Sequence, residues 1–241
     1  MSGSGSVVEQ GGMLFVAGPT GFPVGYSNAA MRVDRALPAA DAFEAADAFF
    51  AERGRGYTLV AHAETDTDLA KAAATRDQKP LLESPFMTIE HPVAELPERD
   101  IDLRVVTELA EARDLVHVTR QAYADLGMPA EQTDALFSAP ERLLDPEIHA
   151  VVVYLEDRPT STAMTLSTPQ VAGVYWVGTV PGGRQRGLGE RCTQVVTNAA
   201  FERGARVVAL EASPMGFPIY ERMGFQTVGR VQWYLTPAPG S

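Results

Sequence analysis

Residues Pro181–Gly189 read PGGRQRGLG and lie between two segments of different pattern. Residues 171–180, before the turn, are rich in β-branched and aromatic side chains, which predicts a β-strand. After the turn, apolar side chains recur at helical spacing, at Leu188, Cys192, Val195, Val196 and Ala199. The glycine-rich turn is therefore predicted to open a helix. The unpaired N–H groups and the dipole at a helix start favour the binding of an anion there.

Three phosphate-binding patterns can be compared with this turn. A P-loop needs Lys and then Ser or Thr after its second glycine, but Leu188 and Gly189 follow Gly187. A dinucleotide-binding turn needs a third glycine three residues after Gly189, where this chain has Cys192. The pattern Arg/Gln-x-x-Gly-x-Gly/Ala is matched in full by Arg184, Gly187 and Gly189. The turn therefore follows the third pattern.

A second motif lies downstream of the turn. After a short β-branched run, residues 212–225 read ASPMGFPIYERMGF. Together the two motifs resemble those of the GCN5-related N-acetyltransferases (GNAT), in which a short helix carries a tyrosine and a Gly-Phe pair begins the next strand. Tyr220, Gly224 and Phe225 match these positions, at a distance from Arg184 that is normal for the family.

The resemblance implies an α/β (α+β) fold, in which helices flank a mixed, mostly antiparallel sheet. The pattern of the C-terminal half agrees with this fold, since it predicts the element order β-α-α-β-β-β-α-β-α-β. A second helix is expected over 129–144. An antiparallel meander is expected from strands at 150–155, 161–166 and 171–180.

The chain is predicted to divide near residues 90–100, where two prolines and several charges resemble a linker. We predict a flexible tail over 1–12, an N-terminal domain over 13–92 and a GNAT acetyltransferase domain over 93–241. The N-terminal half resembles a shortened, degenerate copy of the same layout without the cofactor loop. In some family members such a half helps to shape the acceptor pocket. Its strands are expected at 13–17, 26–33, 57–62 and 86–90.

The resemblance implies transfer of an acetyl group from acetyl-CoA to a primary amine. The amine would attack the thioester carbonyl directly while both substrates are bound, without a covalent enzyme intermediate. Tyr220 is the candidate acid for the leaving thiolate, because a phenol with a pKa near ~10 is well matched to a thiol near ~8.5. The alternative is that Tyr220 only packs on the helix and hydrogen-bonds the sulfur.

Glu211, at the end of the strand before the second motif, is the best candidate for the base that takes the amine proton, directly or through water. A solvated carboxylate at a strand end is an equally good interpretation. His149 and His117 are weaker candidates, since a lone histidine beside apolar residues is more often structural.

The resemblance also implies which residues bind the cofactor. Backbone groups of the strand before the turn would hold the pantetheine arm and polarise the carbonyl, and Gly178 is expected to mark a β-bulge. Where many family members carry Asn, this chain has Ser213. The implied cofactor-binding residues are Val177, Gly178, Thr179, Arg184, Gln185, Arg186, Gly187, Leu188, Gly189, Glu190, Ser213 and Tyr220.

Composition restricts the partners further. A net charge of −11 disfavours nucleic acid and suits a cationic small-molecule or peptide amine. No apolar run approaches the ~20 residues of a membrane span, so a cytoplasmic protein without a membrane partner is expected. Cys192, the single cysteine, lies on the apolar helix face and is expected to be packed. No side-chain cluster has metal-ligand spacing, so no metal is expected.

Two other function classes stay open. The chain could be a binding module that uses acyl-CoA as a ligand without transferring the acyl group, although Tyr220 argues against this. It could also be a non-catalytic interaction protein, in which the N-terminal half covers the acceptor side. The expected state is a monomer or homodimer. The acceptor itself is not specified, because acceptor residues come from loops and helices outside the two motifs.

Overall fold

The computed structural model describes residues 5–18, 27–97, 100–238 and 240. Two compact units are formed, the first from the residues up to Pro85 together with those from Gly229 onward, and the second from Phe86–Val228. The sequence-based division placed 86–92 with the first half and 229–241 with the second. As a statement about domains, that division stays a prediction.

The first unit contains a sheet with the strand order β1-β2-β3-β4-β11. β3 and β4 pair in parallel, and the other described pairs of this unit are antiparallel. Buried aromatic rings of the strands and of α1 form the centre of its core, among them Phe15, Phe43, Phe50 and Tyr57. The elements are β1 Ser6–Gln10, β2 Met13–Ala17, β3 Asn28–Arg32, α1 Ala39–Ala51, β4 Tyr57–His62, α2 Thr67–Thr75 and β11 Gln226–Thr236.

The second unit contains a sheet with the strand order β5-β10-β9-β8-β7-β6. β9 and β10 pair in parallel, and the other described pairs are antiparallel, as the predicted mixed sheet requires. The predicted meander is confirmed as β7, β8 and β9. The elements are β5 Pro80–Ile89, β6 Asp102–Val105, α3 Leu109–Ala124, α4 Ala130–Leu136, β7 Ile148–Leu155, β8 Arg158–Ser167, β9 Val171–Thr179, α5 Leu188–Glu202, β10 Val207–Glu211 and α6 Phe217–Arg222.

Helices cover both faces of the second sheet. Side chains alternate along β7, so that Val151 and Val153 pack in the core under α5, and Val152 packs with Leu115 of α3 in the other core. Cys192 lies in the α5 core and is fully buried, which confirms the predicted packed thiol. Burial raises its pKa to about 12, so the thiol stays protonated.

Each sheet is completed by a strand from the other half of the sequence. β5 follows α2 along the chain, yet its residues 86–89 pair with β10 of the second unit. β11 follows α6, yet its residues 231–236 pair with β4 of the first unit. Both added strands are antiparallel to the strand they join. The two halves thus repeat one layout while exchanging their last strands.

Two secondary-structure predictions were wrong. Residues 6–10, expected in a tail, form β1, because Gly11 and Gly12 adopt the positive φ angles of a tight hairpin turn to β2. The helix expected over 129–144 ends at Leu136, and a separate 3-10 turn follows over Pro140–Leu144. Pro140 has no N–H and disfavours helical backbone before it. Residues 1–4 of the predicted tail and residue 26 of a predicted strand lie outside the described residues.

Candidate active site

β9 and β10 run in parallel, but their pairing covers only the first part of β9. The pairs join Val171–Gly173 to residues 207–209. Beyond them β9 continues to Thr179, and β10 continues to Glu211. Backbone N–H and C=O groups of a strand beyond its last ladder pair can hydrogen-bond a ligand. The second half of β9 is therefore a suitable edge for an extended, amide-containing arm.

A β-bulge interrupts β9 at the same place. Thr162 of β8 lies opposite Gly178, and Met164 lies opposite Tyr175, so β9 contains one residue more than β8 over this stretch. The φ of Trp176 is +53°, a left-handed value that is strained for a bulky residue. Because functional sites often hold such strain, the bulge marks this stretch as a candidate site.

The bulge lies at Trp176 and Val177, and not at Gly178 as predicted. Gly178 is required for a different reason, because a Cβ there would come within 2.9 Å of the Cβ of Ala122 on α3. The glycine therefore permits close packing between the helix and the strand. Thr179, next along β9, shares a hydrogen bond of 2.8 Å with the Ser161 hydroxyl.

The turn after β9 opens α5, as predicted. Gln185 and Gly187 have left-handed backbones, with φ of +61° and +70°, and Gly187 is the residue before the helix. The Arg191 N–H donates to the Gly187 carbonyl at 3.1 Å as the helix begins. The N–H groups of the first helical turn, Leu188 to Glu190, have no partner within the helix. They are available to bind an anion.

Arg184 connects this turn to α3. Its Nη1 donates to Asp125 Oδ2 at 2.8 Å, Nη2 donates to the Ala122 carbonyl at 3.4 Å, and Nε donates to the Thr179 carbonyl at 3.2 Å. The guanidinium thus fixes the turn against the C-terminal end of α3. A cofactor contact by Arg184 stays a prediction, as do those of Gln185 and Arg186, which are exposed on the turn.

Glu190 lies in the first turn of α5, where its Oε1 is 4.0 Å from Nη2 of Arg222 on α6. Ser213 precedes α6, and its Oγ accepts the Gly216 N–H at 3.1 Å. That hydroxyl therefore shapes the turn into α6. The predicted cofactor contacts of both residues stay predictions.

Tyr220 is buried on α6, with 8% of its surface exposed. A Cβ at Gly216 would come within 2.7 Å of the Tyr220 ring, so the turn before α6 requires glycine there. Burial raises the pKa of Tyr220 to about 12, although a hydrogen bond with Thr193 lowers it in part. Tyr220 is therefore a neutral phenol that keeps its proton near pH 7.

Glu211 is half-buried at the end of β10, opposite Phe86 of β5. Ala209 and Gly173 form the last ladder pair of the two strands, and Glu211 and Tyr175 each lie two residues beyond it. Burial and the Glu211 carboxylate both raise the pKa of Tyr175, which agrees with this proximity. Its role as a base stays a prediction.

The two histidines considered as bases lie elsewhere in the unit. His149 is on β7, and burial, with a further contribution from the positive charge of Arg203, lowers its pKa. His117 is on α3, with its Nε2 2.6 Å from Nε2 of Gln121 on the helix surface.

Within the described residues, no three or more His, Cys, Asp or Glu side chains are grouped so that they could hold a metal ion.

Tyr123 was not predicted as a site residue. Its hydroxyl donates to the Val177 carbonyl at 3.4 Å, and its ring centroid is 5.2 Å from that of Trp176. Burial raises its pKa, and the nearby Tyr220 raises it further. In the sequence Tyr123 is part of an apolar helix face, so nothing in the local pattern separates it from a core residue.

Among the described helices, none is both long and apolar enough to cross a membrane.

Comparison with solved structures identifies the fold. A GCN5-related N-acetyltransferase from Kribbella flavida matches with a TM-score of 0.73 and 22% identity, covering 99% of this chain and 91% of that one. A second, from Sphaerobacter thermophilus, gives 0.67 and 16%, with coverages of 97% and 84%. A tandem GNAT protein from the clavulanic acid biosynthesis pathway gives 0.62 and 15%, with coverages of 98% and 82%.

These matches extend over nearly the whole chain, although their sequence identities are low. No protein-family model matches the sequence, and no curated protein matches it. The predicted fold is confirmed, since the chain has the fold of the GCN5-related N-acetyltransferases. The tandem neighbour fits the prediction of a second, related half.

Proposed function

We propose that this protein is an acetyl-CoA-dependent N-acetyltransferase, which transfers an acetyl group to a primary amine by direct attack with both substrates bound. One observation carries the proposal. The helix start of α5, the bulged edge of β9 and the buried phenol of Tyr220 belong to the elements around the point where β9 and β10 separate. The helix start suits an anion, the strand edge suits an arm that hydrogen-bonds the backbone, and the phenol suits a proton donor.

The residues fit an acyl-CoA in chemical type. The N–H groups from Gly187 to Glu190 suit a pyrophosphate, and the edge of β9 from Val177 to Thr179 suits the amides of a pantetheine arm. Gly183 and Gly189 keep the turn close to the sheet, since a Cβ would lie 2.2 Å from Thr160 Cγ2 or 3.3 Å from Thr179 Oγ1. When bound, acetyl-CoA supplies an acetyl group activated as a thioester.

The chain's own residues then handle two protons. An alkylammonium has a pKa near ~10.4, so a base must remove a proton before the nitrogen can attack. Glu211 takes that proton, directly or through a water, and releases it to the solvent. As the N–C bond forms and the C–S bond breaks, Tyr220 Oη donates a proton to the departing sulfur. The second proton lost by the nitrogen restores the phenol, and the products are an amide and a thiol.

The alternative is a module that binds acyl-CoA without transferring the acyl group. A thermal-shift titration with acetyl-CoA, followed by a thiol-release assay over a panel of amines, separates the two. A ligand at ~100 times its Kd stabilises the folded protein by ~2.7 kcal/mol. Stabilisation together with amine-dependent thiol release supports the transferase. Stabilisation without release supports the module, and no stabilisation by any acyl-CoA contradicts both.

Several expectations belong to the same proposal. The acceptor is a small-molecule or peptide amine, and neither nucleic acid nor a membrane is a partner. The net charge of −11 favours the approach of cations over polyanions. We also propose that the protein is cytoplasmic and that it is a monomer or a homodimer. The role of the N-terminal half in shaping the acceptor pocket stays a prediction.

A further inference from the structure

The bulge in β9 changes which side chains share a face of the sheet. Before it, Ala172 and Val174 pack in the core under α5, and so does Val177 after it. Trp176 packs instead in the core under α3. Tyr175 alternates with Val174, so it also belongs to the α3 side. The extra residue therefore places two consecutive aromatic side chains, Tyr175 and Trp176, on one face.

Two further aromatic side chains contact Trp176. The Tyr123 ring of α3 is 5.2 Å from Trp176 and tilted by 59°. The Phe137 ring, directly after α4, is 5.2 Å from Trp176 in an edge-on arrangement. Tyr175 is 38% exposed, and the other three are half-buried. We refer to Tyr123, Phe137, Tyr175 and Trp176 as the aromatic wall.

The aromatic wall adjoins both candidate catalytic residues. Tyr175 and Glu211 each lie two residues beyond the last ladder pair of β9 and β10, and the Glu211 carboxylate raises the pKa of Tyr175, so the two side chains are close to each other. Tyr123 is close enough to Tyr220 for the two phenols to influence each other electrostatically. A molecule seated on the wall would therefore have its amine nitrogen close to both the proposed base and the proposed acid.

Two carboxylates close to the wall in sequence are engaged with arginines. Asp125 Oδ2 accepts Arg184 Nη1 at 2.8 Å, and Asp134 Oδ2 is 3.7 Å from Arg120 Nη2. A polycationic acceptor such as a polyamine needs several carboxylates for its additional charges. A single ammonium on an apolar body needs one carboxylate and an apolar or aromatic surface, and aromatic faces also attract cations.

We propose that the aromatic wall binds the body of the acceptor, and that the acceptor is a monoamine carried on an aromatic or bulky apolar group. This inference rests on the proposed function, because it assigns the substrate class of the same site. The strained backbone of Trp176 then belongs to the bulge that places both aromatic residues on one face of β9.

The first experiment measures binding without transfer. The chain has two tryptophans, so Trp233→Phe leaves Trp176 as the single reporter of indole fluorescence. In the presence of coenzyme A, 2-phenylethylamine should change this fluorescence in a saturable way, and propylamine at the same concentration should not. Equal responses to both amines, or none to 2-phenylethylamine, would overturn the inference.

The second experiment measures thiol release from acetyl-CoA. We expect kcat/KM to be at least ~10-fold higher for 2-phenylethylamine than for propylamine or spermidine, the size of effect that one aromatic contact gives. Trp176→Gly adopts the left-handed backbone without strain, and so removes the ring while keeping the bulge. It should raise KM for 2-phenylethylamine, and the ratio of kcat/KM for 2-phenylethylamine to that for propylamine should fall from at least ~10 to about one.

Matched controls separate the inference from the proposed function. Val7→Ala, which shortens an exposed apolar side chain on β1, should change neither amine's kinetics. Thermal unfolding and the Kd for acetyl-CoA identify any variant that is misfolded. A spermidine preference, or equal loss for all amines in a folded Trp176→Gly, overturns the inference alone. Ring-selective binding without thiol release from any amine supports the ligand class assigned to the wall and contradicts the proposed function.

Discussion

Arg32 and Asp66 form a buried ion pair, in which Arg32 Nη2 donates to Asp66 Oδ1 at 3.0 Å and the side chains are 3% and 8% exposed. Arg32 follows the last parallel pair of β3 and β4, and Asp66 precedes α2. The corresponding point of the second unit is where β9 and β10 separate. In the first unit this point is therefore occupied by an ion pair, and β4 is held to α2 by the His62 N–H, which donates to Asp66 Oδ2 at 2.9 Å.

Arg32→Met should destabilise the first unit. Removing one partner of a buried pair leaves the other charge uncompensated, which costs about 3–5 kcal/mol of unfolding free energy. Arg120→Met is the matched control, because Arg120 and Asp134 form an exposed pair, 50% and 52% exposed, and such pairs contribute about 0–1 kcal/mol. Urea unfolding followed by circular dichroism measures both. Equal losses of unfolding free energy in the two variants would contradict a larger contribution from the buried ion pair of Arg32.

The contribution of Asp68 to stability should disappear in acid. Its hydrogen bond and ion pair with Arg32, 2.6 Å from Oδ2 to Nη1, hold its pKa below the usual value. A carboxylate whose pKa is lowered on folding stabilises the protein above its unfolded pKa of ~3.9 and loses that effect as pH falls through the folded value. Urea midpoints of the wild type and Asp68→Asn should therefore differ at pH 6 and converge below about pH 4. A difference that is constant with pH would rule out the linkage.

Tyr220→Phe should lower kcat with little change in the affinity for acetyl-CoA. General acid catalysis contributes roughly 10²- to 10⁴-fold, and the ring that packs in the core is retained. Because its pKa is raised to about 12, the phenol stays protonated, and no loss of kcat from its ionisation is expected up to about pH 10. Tyr154→Phe is the matched control. It removes a hydroxyl that donates to Asp114 at 2.7 Å, and it should leave kcat unchanged. An unchanged kcat in Tyr220→Phe would remove the acid role.

Elements with strong local patterns were predictable, whereas features set by distant contacts were not. β2 and β4 have the predicted bounds, since their apolar runs are flanked by turn residues. The partner of Arg184 could not be predicted, because Asp125 directly follows a distant helix, α3, and only packing brings the two residues together. The bulge at Trp176 depends on its register with β8, which the sequence of β9 does not contain. The exchange of β5 and β11 could not be predicted either, because it depends on which strands pair and not on the sequence of either strand.

Arg184 is expected to act on the cofactor site through its fixed position. If the guanidinium holds the turn against α3, Arg184→Met and Asp125→Asn should weaken acetyl-CoA binding by similar factors, about 3- to 10-fold. The double variant should be no weaker than either single one, because both remove the same contact. Isothermal titration measures all three. A loss in Arg184→Met far larger than in Asp125→Asn would instead indicate direct contact between the guanidinium and the phosphates.

Two adjacent glycines test how closely the turn must pack on the sheet. A Cβ at Gly183 would come within 2.2 Å of Thr160 Cγ2, whereas a Cβ at Gly182 would meet no atom within 4 Å. Gly183→Ala should therefore force the turn away from β8 at a cost of about 1–3 kcal/mol, and Gly182→Ala should stay within about 0.5 kcal/mol of the wild type. If the turn forms the anion site, the displaced Gly183→Ala should also bind acetyl-CoA more weakly, as thermal shift and titration would measure. If a destabilised Gly183→Ala bound acetyl-CoA normally, the close packing of the turn on the sheet would not be needed for its proposed role as the anion site.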